Sequence, residues 1–234
     1  MSPSRAELWN GVLFDWLVVR QVISANPAAP DRGPKYTVRK GKTAVLTAEE
    51  ARELLNSIET DTVIGLRDRA LVAAMVYSFA RIGAVIKMRV EDVYVQGRRT
   101  WLRLHEKGDK RHEMPAHHVL DQYLEEYRKA AGAALDPKGY LFRTIRGRTG
   151  VLTDEPMAQA DAYRMIRRRA LACGLKTRIG NHSFRATGIT EYLRNGGKLE
   201  IARQMAAHES ARTTGLYDRR DDEISLDEVE RILI

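Results

Sequence analysis

The side chains able to do chemistry gather late in the chain. Asn181-His182-Ser183-Phe184-Arg185 sets a histidine and an arginine one helical turn apart. Ala207-His208 adds a second histidine, and Thr213-Thr214-Gly215-Leu216-Tyr217 ends on a tyrosine nine positions beyond it. Cations and hydrogen-bond donors converging with a phenol suit attack on a phosphodiester. The phenol forms a new ester while the cations stabilise the charge that builds on the phosphoryl oxygens.

Two cations far upstream can join them. Arg81, in Phe79-Ala80-Arg81-Ile82-Gly83-Ala84-Val85, follows an almost wholly apolar run, and no acidic residue comes after it until Glu91. An arginine at the end of a buried helix needs an anion. That anion is either a carboxylate distant in sequence or a ligand phosphate. Lys107, in Lys107-Gly108-Asp109-Lys110, falls at a turn between strand-like runs. A hairpin-tip ammonium there either reaches into a groove or is simply solvated.

Composition frames these residues. The 234-residue chain has 39 Lys and Arg against 31 Asp and Glu, a net charge of +8. It is long enough for one sizeable domain with an appendage. The charge suggests a polyanionic partner, nucleic acid first. Cys173 is the single cysteine, so no internal disulfide forms and a reducing, cytoplasmic setting is expected. No apolar run approaches the ~18 residues of a membrane span, and the Val12–Val19 patch is interrupted by Asp15 with no cleavage-site pattern after it.

The elements that must position the chemistry follow from periodicity. Ala6 to Ser24 reads as an amphipathic helix with Leu8, Val12, Trp16, Val19 and Ile23 on one face, a face that must pack on something. Residues 26–46 read as a basic linker rich in proline. Thr47-Ala48-Glu49-Glu50 is a capping box that opens a helix. Leu66 to Phe79 is apolar nearly all round and reads as the core helix. From Val90 the period becomes two. Val93 and Val95, then Trp101, Leu102 and Leu104, then Met114 predict a three-stranded antiparallel meander. His117 to Ala131 predicts a helix.

Arg143, Arg146 and Arg148 fall in a glycine-containing segment read as a basic loop. Met157 to Cys173 predicts a helix whose Arg164, Arg167, Arg168 and Arg169 suit either phosphate contact or solvent. Ser183 to Arg194 and Leu199 to Ala206 predict two helices joined by Asn195-Gly196-Gly197. Residues 221–234 predict an acidic turn and a short apolar-faced helix. The pair His117-His118 lacks a cysteine or spaced carboxylate to complete a metal site, so no metal is expected there.

Arg81, Lys107, His182 with Arg185, His208 and Tyr217, in that order, resemble the signature of the tyrosine recombinase (phage integrase) family. The likeness spans Thr47 to Arg220. Lys107-Gly108-Asp109-Lys110-Arg111 resembles the family's hairpin turn, and Gly196-Gly197 through His208 its approach to the second histidine. The resemblance implies an α+β, predominantly helical catalytic domain over residues 47–220, with a small three-stranded antiparallel sheet. It implies site-specific cutting and rejoining of duplex DNA without metal or nucleotide. Tyr217 would be the nucleophile, Arg81 and Arg185 the phosphate ligands, and His182 a proton acceptor or phosphate ligand. His208 would be a hydrogen-bond donor and Lys107 the acid for the departing 5′ oxygen. The family also assembles as tetramers on DNA through a C-terminal helix. Residues 221–234 would play that part, or fold back on their own domain.

Three departures accompany the likeness. Ala84 stands where the family often has an acidic residue, three positions after the first arginine. Ala207 replaces the usual glycine before the second histidine, which is tolerable only if the backbone there avoids positive φ. The N-terminal segment is shorter than the family's separate DNA-clamping domain, so residues 1–25 read as the last helix of such a domain. The alternative expectation is therefore a truncated, non-catalytic DNA-binding remnant.

Overall fold

The computed structural model describes residues 13–27, 43–106, 110–132, 136–147, 149–208 and 211–218. Backbone contacts divide the chain into two compact units, Met1–Arg39 and Lys40–Ile234. In the first, residues 13–19 are helical and a turn follows, with Gln21 at φ +57°. The helix thus stops short of the expected Ser24, and Trp16 and Val19 on its apolar face are exposed. Leu8 and Val12 lie outside the described residues, as do most of the expected linker, Lys107, Arg148 and the tail from residue 221.

The second unit begins as the capping box predicts. Thr47 Oγ1 accepts from the Glu50 amide at 3.1 Å, and Glu50 Oε2 accepts from the Thr47 amide at 2.9 Å. Together they satisfy two donors that the helix start leaves open. Helix α1 (Ala48–Asn56) buries Ala51, Leu54 and Leu55. Helix α2 (Val63–Tyr77), capped by Thr62, is the expected core helix. Residues Ala70 to Met75 are buried without a break, so no face shows amphipathic contrast.

A loop from Ser78 to Arg81 leads into the short helix α3 (Ile82–Val85) and a 3-10 turn at Val90–Asp92. The meander follows as β1 (Val93–Gln96), β2 (Arg99–Glu106) and β3 (Lys110–Pro115), antiparallel in the order β1-β2-β3. Its register sets Leu102 opposite Val93 and Met114, Leu104 opposite His112, and Glu106 opposite Lys110. Alternation turns Leu102, Leu104 and Glu106 to the same, buried face.

Helix α4 (His118–Ala130) packs on α2 through Leu120, Leu124 and Tyr127, with His117 as its N-cap, stacked on Tyr77. Of the segment expected as a basic loop, Arg143 lies instead in a second sheet, β4 (Arg143–Ile145) paired with β5 (Leu152–Pro156), while Arg146, Gly147 and Gly150 lie outside the strands between them. Helix α5 (Gln159–Ala172) carries the arginines for which phosphate contact and solvent were both open; Arg164 and Arg168 are exposed, while Arg169 meets neither expectation. Arg169 donates from Nη2 to Asp68 Oδ2 at 3.0 Å, and Arg67 donates to the other oxygen at 2.7 Å. Asp68 has no solvent exposure, so these guanidiniums neutralise a buried carboxylate. Arg164 pairs with Asp161 on its own helix.

Helices α6 (Asn181–Arg194), α7 (Leu199–Met205) and α8 (Ala211–Gly215) follow among the described residues. The main core includes Leu71, Met75, Val85, Leu104, Phe142, Ile166 and Phe184. A smaller cluster of Phe79, Ile189, Leu193, Ala202 and Ala206 receives the Tyr217 ring.

Candidate active site

Helix α6 is the axis of the site. Ser183 through Thr190 are all buried, which leaves no room for bulk where α6 meets the end of α2. A Cβ on Gly188 would lie 2.1 Å from the Val76 carbonyl oxygen and 2.9 Å from the Phe79 ring. Only a hydrogen fits there, and the close approach brings Phe79 to Arg185.

Arg185 is 2% exposed. Its Nη1 donates to the Phe79 carbonyl and its Nη2 to the Ala206 carbonyl. Both acceptors belong to helix C-termini, where carbonyls lack intrahelical partners and a cation is favoured. Phe79 follows α2 in left-handed conformation, φ +56°. Burial, then the neighbouring Arg81 charge, lower the Arg185 pKa to about 10. The guanidinium therefore remains charged at neutral pH.

Arg81 is the N-cap residue of α3, with extended backbone. The anion beside it is Glu106, the last residue of β2. Arg81 Nη1 lies 2.7 Å from Glu106 Oε2, and the Arg81 amide donates to Glu106 Oε1 at 3.1 Å. The same Oε1 lies 3.6 Å from Arg185 Nη1. Of the two anions left open for Arg81, the distant carboxylate is thus present. Glu106 was missed from sequence, although it stands at the next inward position after Leu102 and Leu104. An acid in phase with two core leucines was the available signal. His112 on β3 was missed as well. Burial, then Arg185, hold its pKa below the ordinary value, against the pull of Glu106. Neither ring nitrogen has a partner with hydrogen-bond geometry, though the Met205 backbone lies close enough to favour the charged form slightly.

His208 is placed by the end of α7. The Ala207 amide bonds to the Gln204 carbonyl at 2.9 Å and the His208 amide to the Arg203 carbonyl at 3.1 Å, the paired bonds of a Schellman stop. Such a stop needs a left-handed residue, and Ala207 supplies it at φ +46°. The condition set for this alanine is thus not met: the backbone does take positive φ, and the methyl group bears the strain. The His208 ring is buried, with Nδ1 2.9 Å from Thr214 Oγ1. Burial, then the charges of Arg185 and Arg81, push its pKa down to about 4, so the imidazole is neutral near pH 7.

Tyr217 follows α8 through a turn, its amide bonded to the Thr214 carbonyl at 2.9 Å. Its own carbonyl accepts from Thr190 Oγ1 of α6 at 3.0 Å. The ring stacks parallel to His208, with centroids 5.9 Å apart and planes at 10°. It lies within electrostatic reach of Arg185.

Four of the six predicted residues, Arg81, Arg185, His208 and Tyr217, therefore share one neighbourhood. His182 lies in the first turn of α6 and is exposed. No contact ties its ring to the other four. Lys107 lies outside the described residues. Among the described residues, no group of His, Cys, Asp and Glu is arranged to hold a metal ion. None of the described helices is long and apolar enough to cross a membrane.

Comparison with known proteins adds a second line. Residues 44–223 match the phage integrase family. Tyrosine recombinase XerD of Listeria innocua is 26% identical over 208 residues, which cover 87% of this chain and 66% of the relative. Tyrosine recombinase XerC of Vibrio atlanticus is 26% identical over 212 residues, 89% of this chain and 64% of the relative. The chain thus spans about two-thirds of the length of these relatives. Among solved structures, XerA recombinase aligns over 99% of this chain and 81% of its own with a TM-score of 0.64 and 20% identity. A lambda integrase dimer bound to a COC′ core site aligns over 94% of this chain and 61% of its own, with a TM-score of 0.67 and 19% identity. The shared fold is the helical body with its small antiparallel sheet.

Proposed function

The chain belongs to the phage integrase family, and from that premise we propose that it is a site-specific DNA recombinase acting through a 3′-phosphotyrosine at Tyr217. The observation that carries the reading is the meeting of two guanidiniums, Arg81 and Arg185, within reach of a buried neutral imidazole stacked on a tyrosine. The relatives that match it are tyrosine recombinases, and one neighbouring structure is named as bound to a core site.

In this reading the Tyr217 hydroxyl attacks the scissile phosphorus, its oxygen forming the new ester as the bond to the 5′ oxygen breaks. Arg81 and Arg185 grip the non-bridging oxygens in the pentavalent transition state. A phenol with pKa near ~10 is mostly protonated at neutral pH, and His182 accepts its proton or helps bind the phosphate. The Thr214 hydroxyl donates to His208 Nδ1, which leaves the ring proton on Nε2 to bond the phosphate. Lys107 protonates the departing 5′ oxygen. A 5′ hydroxyl from another strand reverses the sequence and completes the exchange. No metal or cofactor takes part.

Residues 47–220 form the catalytic body in this reading, residues 1–25 contribute a helix of the DNA-clamping region, and residues 26–46 link the two. Residues 221–234 join protomers into a tetramer on duplex DNA in the bacterial cytoplasm.

The test is incubation with a pool of randomised nicked duplexes that trap the covalent intermediate. A protein–DNA adduct is expected, and Tyr217→Phe abolishes it. Salt-sensitive DNA binding without any adduct would instead mark the chain as a non-catalytic DNA-binding remnant, the reading that Ala84 favours.

A further inference from the structure

We propose that Glu106 is a positioning residue of the reacting site, its one carboxylate holding the Arg81 and Arg185 guanidiniums at a set separation for the two free oxygens of one phosphodiester. The inference rests on reading those arginines as phosphate ligands.

Glu106 is 5% exposed, and a carboxylate so deep is costly unless paired. Its partners divide its two oxygens. Oε2 takes the Arg81 guanidinium at 2.7 Å, while Oε1 takes the Arg81 amide at 3.1 Å and faces Arg185 Nη1 at 3.6 Å. One acid therefore fixes the backbone and side chain of the first arginine and the position of the second. His112 also faces this carboxylate, its ring kept toward the neutral form by burial.

A merely structural ion pair would exist to relieve a buried arginine. Neither arginine depends on Glu106 alone for that relief. Arg185 already donates to the carbonyls of Phe79 and Ala206. The Arg81 side chain is 35% exposed and open to water. What the pair lacks without Glu106 is a fixed relation. Two guanidiniums at close quarters repel, and the more exposed one is free to swing away.

Charge supports the same role. Two guanidiniums and one carboxylate leave a net charge of +1, which one phosphodiester neutralises. The empty site is thereby spared most of the repulsion between its cations, while its attraction for phosphate is retained. The strand geometry makes the tie rigid, because Glu106 continues the inward row of Leu102 and Leu104.

The experiment uses Glu106→Gln and Glu106→Asp in the full chain. Cleavage is followed at saturating nicked duplex, DNA affinity in a Tyr217→Phe background, thermal stability alongside, and arginine side-chain ¹⁵N–¹H spectra in the free protein. Glu106→Gln should slow cleavage by about 10- to 100-fold, the scale of a small misplacement of reacting groups, with DNA affinity nearly unchanged. The Nη–H signals of Arg81 and Arg185 should both lose protection from exchange, and Glu106→Asp should restore part of the rate and part of the protection. Glu106→Gln that cleaves like the wild type while melting earlier would overturn the proposal in favour of a structural pair. If the wild type itself forms no adduct, the recombinase reading fails, and the spectra still decide the tie: unchanged arginine signals in Glu106→Gln overturn it. If Glu106→Gln does not fold, Glu106→Asp carries the same comparison.

Discussion

The Nδ1 of His208 lies 2.9 Å from the Thr214 hydroxyl, with both groups out of solvent. Thr214 is three residues before Tyr217, so the hydroxyl that orients the imidazole sits on the same short segment as the phenol. Thr214 thus meets the imidazole through its hydroxyl and the Tyr217 backbone through its carbonyl.

That coupling makes Thr214→Val informative. Valine keeps the shape and removes the partner of Nδ1, so His208 can carry its proton on either nitrogen. Cleavage of nicked duplex should fall by about 10-fold, the scale seen when the partner that fixes a functional histidine is lost, while DNA binding holds. An unchanged cleavage rate would show that the tautomer is fixed by something other than Thr214.

The depressed pKa of His208 sets an acid limit on stability. Its folded value is about 4 against an ordinary 6.5. Between those values the unfolded chain takes up a proton that the folded chain refuses. Stability is then full above about pH 6.5 and falls as the pH drops toward 4, by up to about 3 kcal/mol. His112, lowered chiefly by burial, acts in the same direction. Urea unfolding at pH 7.5, 6, 5 and 4.5 should show the decline, and His208→Asn should flatten it in part. A wild-type profile level over that range would contradict the burial of a neutral ring.

Ala207 at φ +46° carries a steric cost of about 1 kcal/mol or more that glycine does not. Ala207→Gly should raise the melting temperature, the gain reduced to about 0.5–1 kcal/mol by the added freedom of glycine in the unfolded chain. A lower melting temperature would mean that the methyl group makes contacts worth more than the strain.

What was legible in the sequence was local or periodic. The capping box at Thr47 and Glu50 involves residues three apart, and α2 declares itself by an unbroken apolar run. The meander follows from alternation. What was not legible depends on partners far away. Arg169 was left between phosphate and solvent because nothing near it in sequence reveals Asp68, 101 residues upstream. The β4–β5 pair was hidden because its strands are short and polar, with Leu152 and Pro156 only half-buried, and the Arg-Gly-Arg-Thr-Gly turn has the composition of a loop. The stop after α7 was legible to within one residue, Ala206 expected against Met205 found, although an alanine stands where glycine is usual. In the site, residue order located Arg81, Arg185, His208 and Tyr217. The acid that joins the arginines took its place through strand phase, a signal weaker than a motif.

The most direct test of the central claim is to digest the trapped protein–DNA adduct and identify the modified peptide by mass spectrometry. The expected product is the peptide containing Tyr217, with a nucleotide 3′-phosphate esterified to its phenol oxygen. A linkage on any other side chain, or a 5′-phosphate at Tyr217, would contradict the role assigned to that residue.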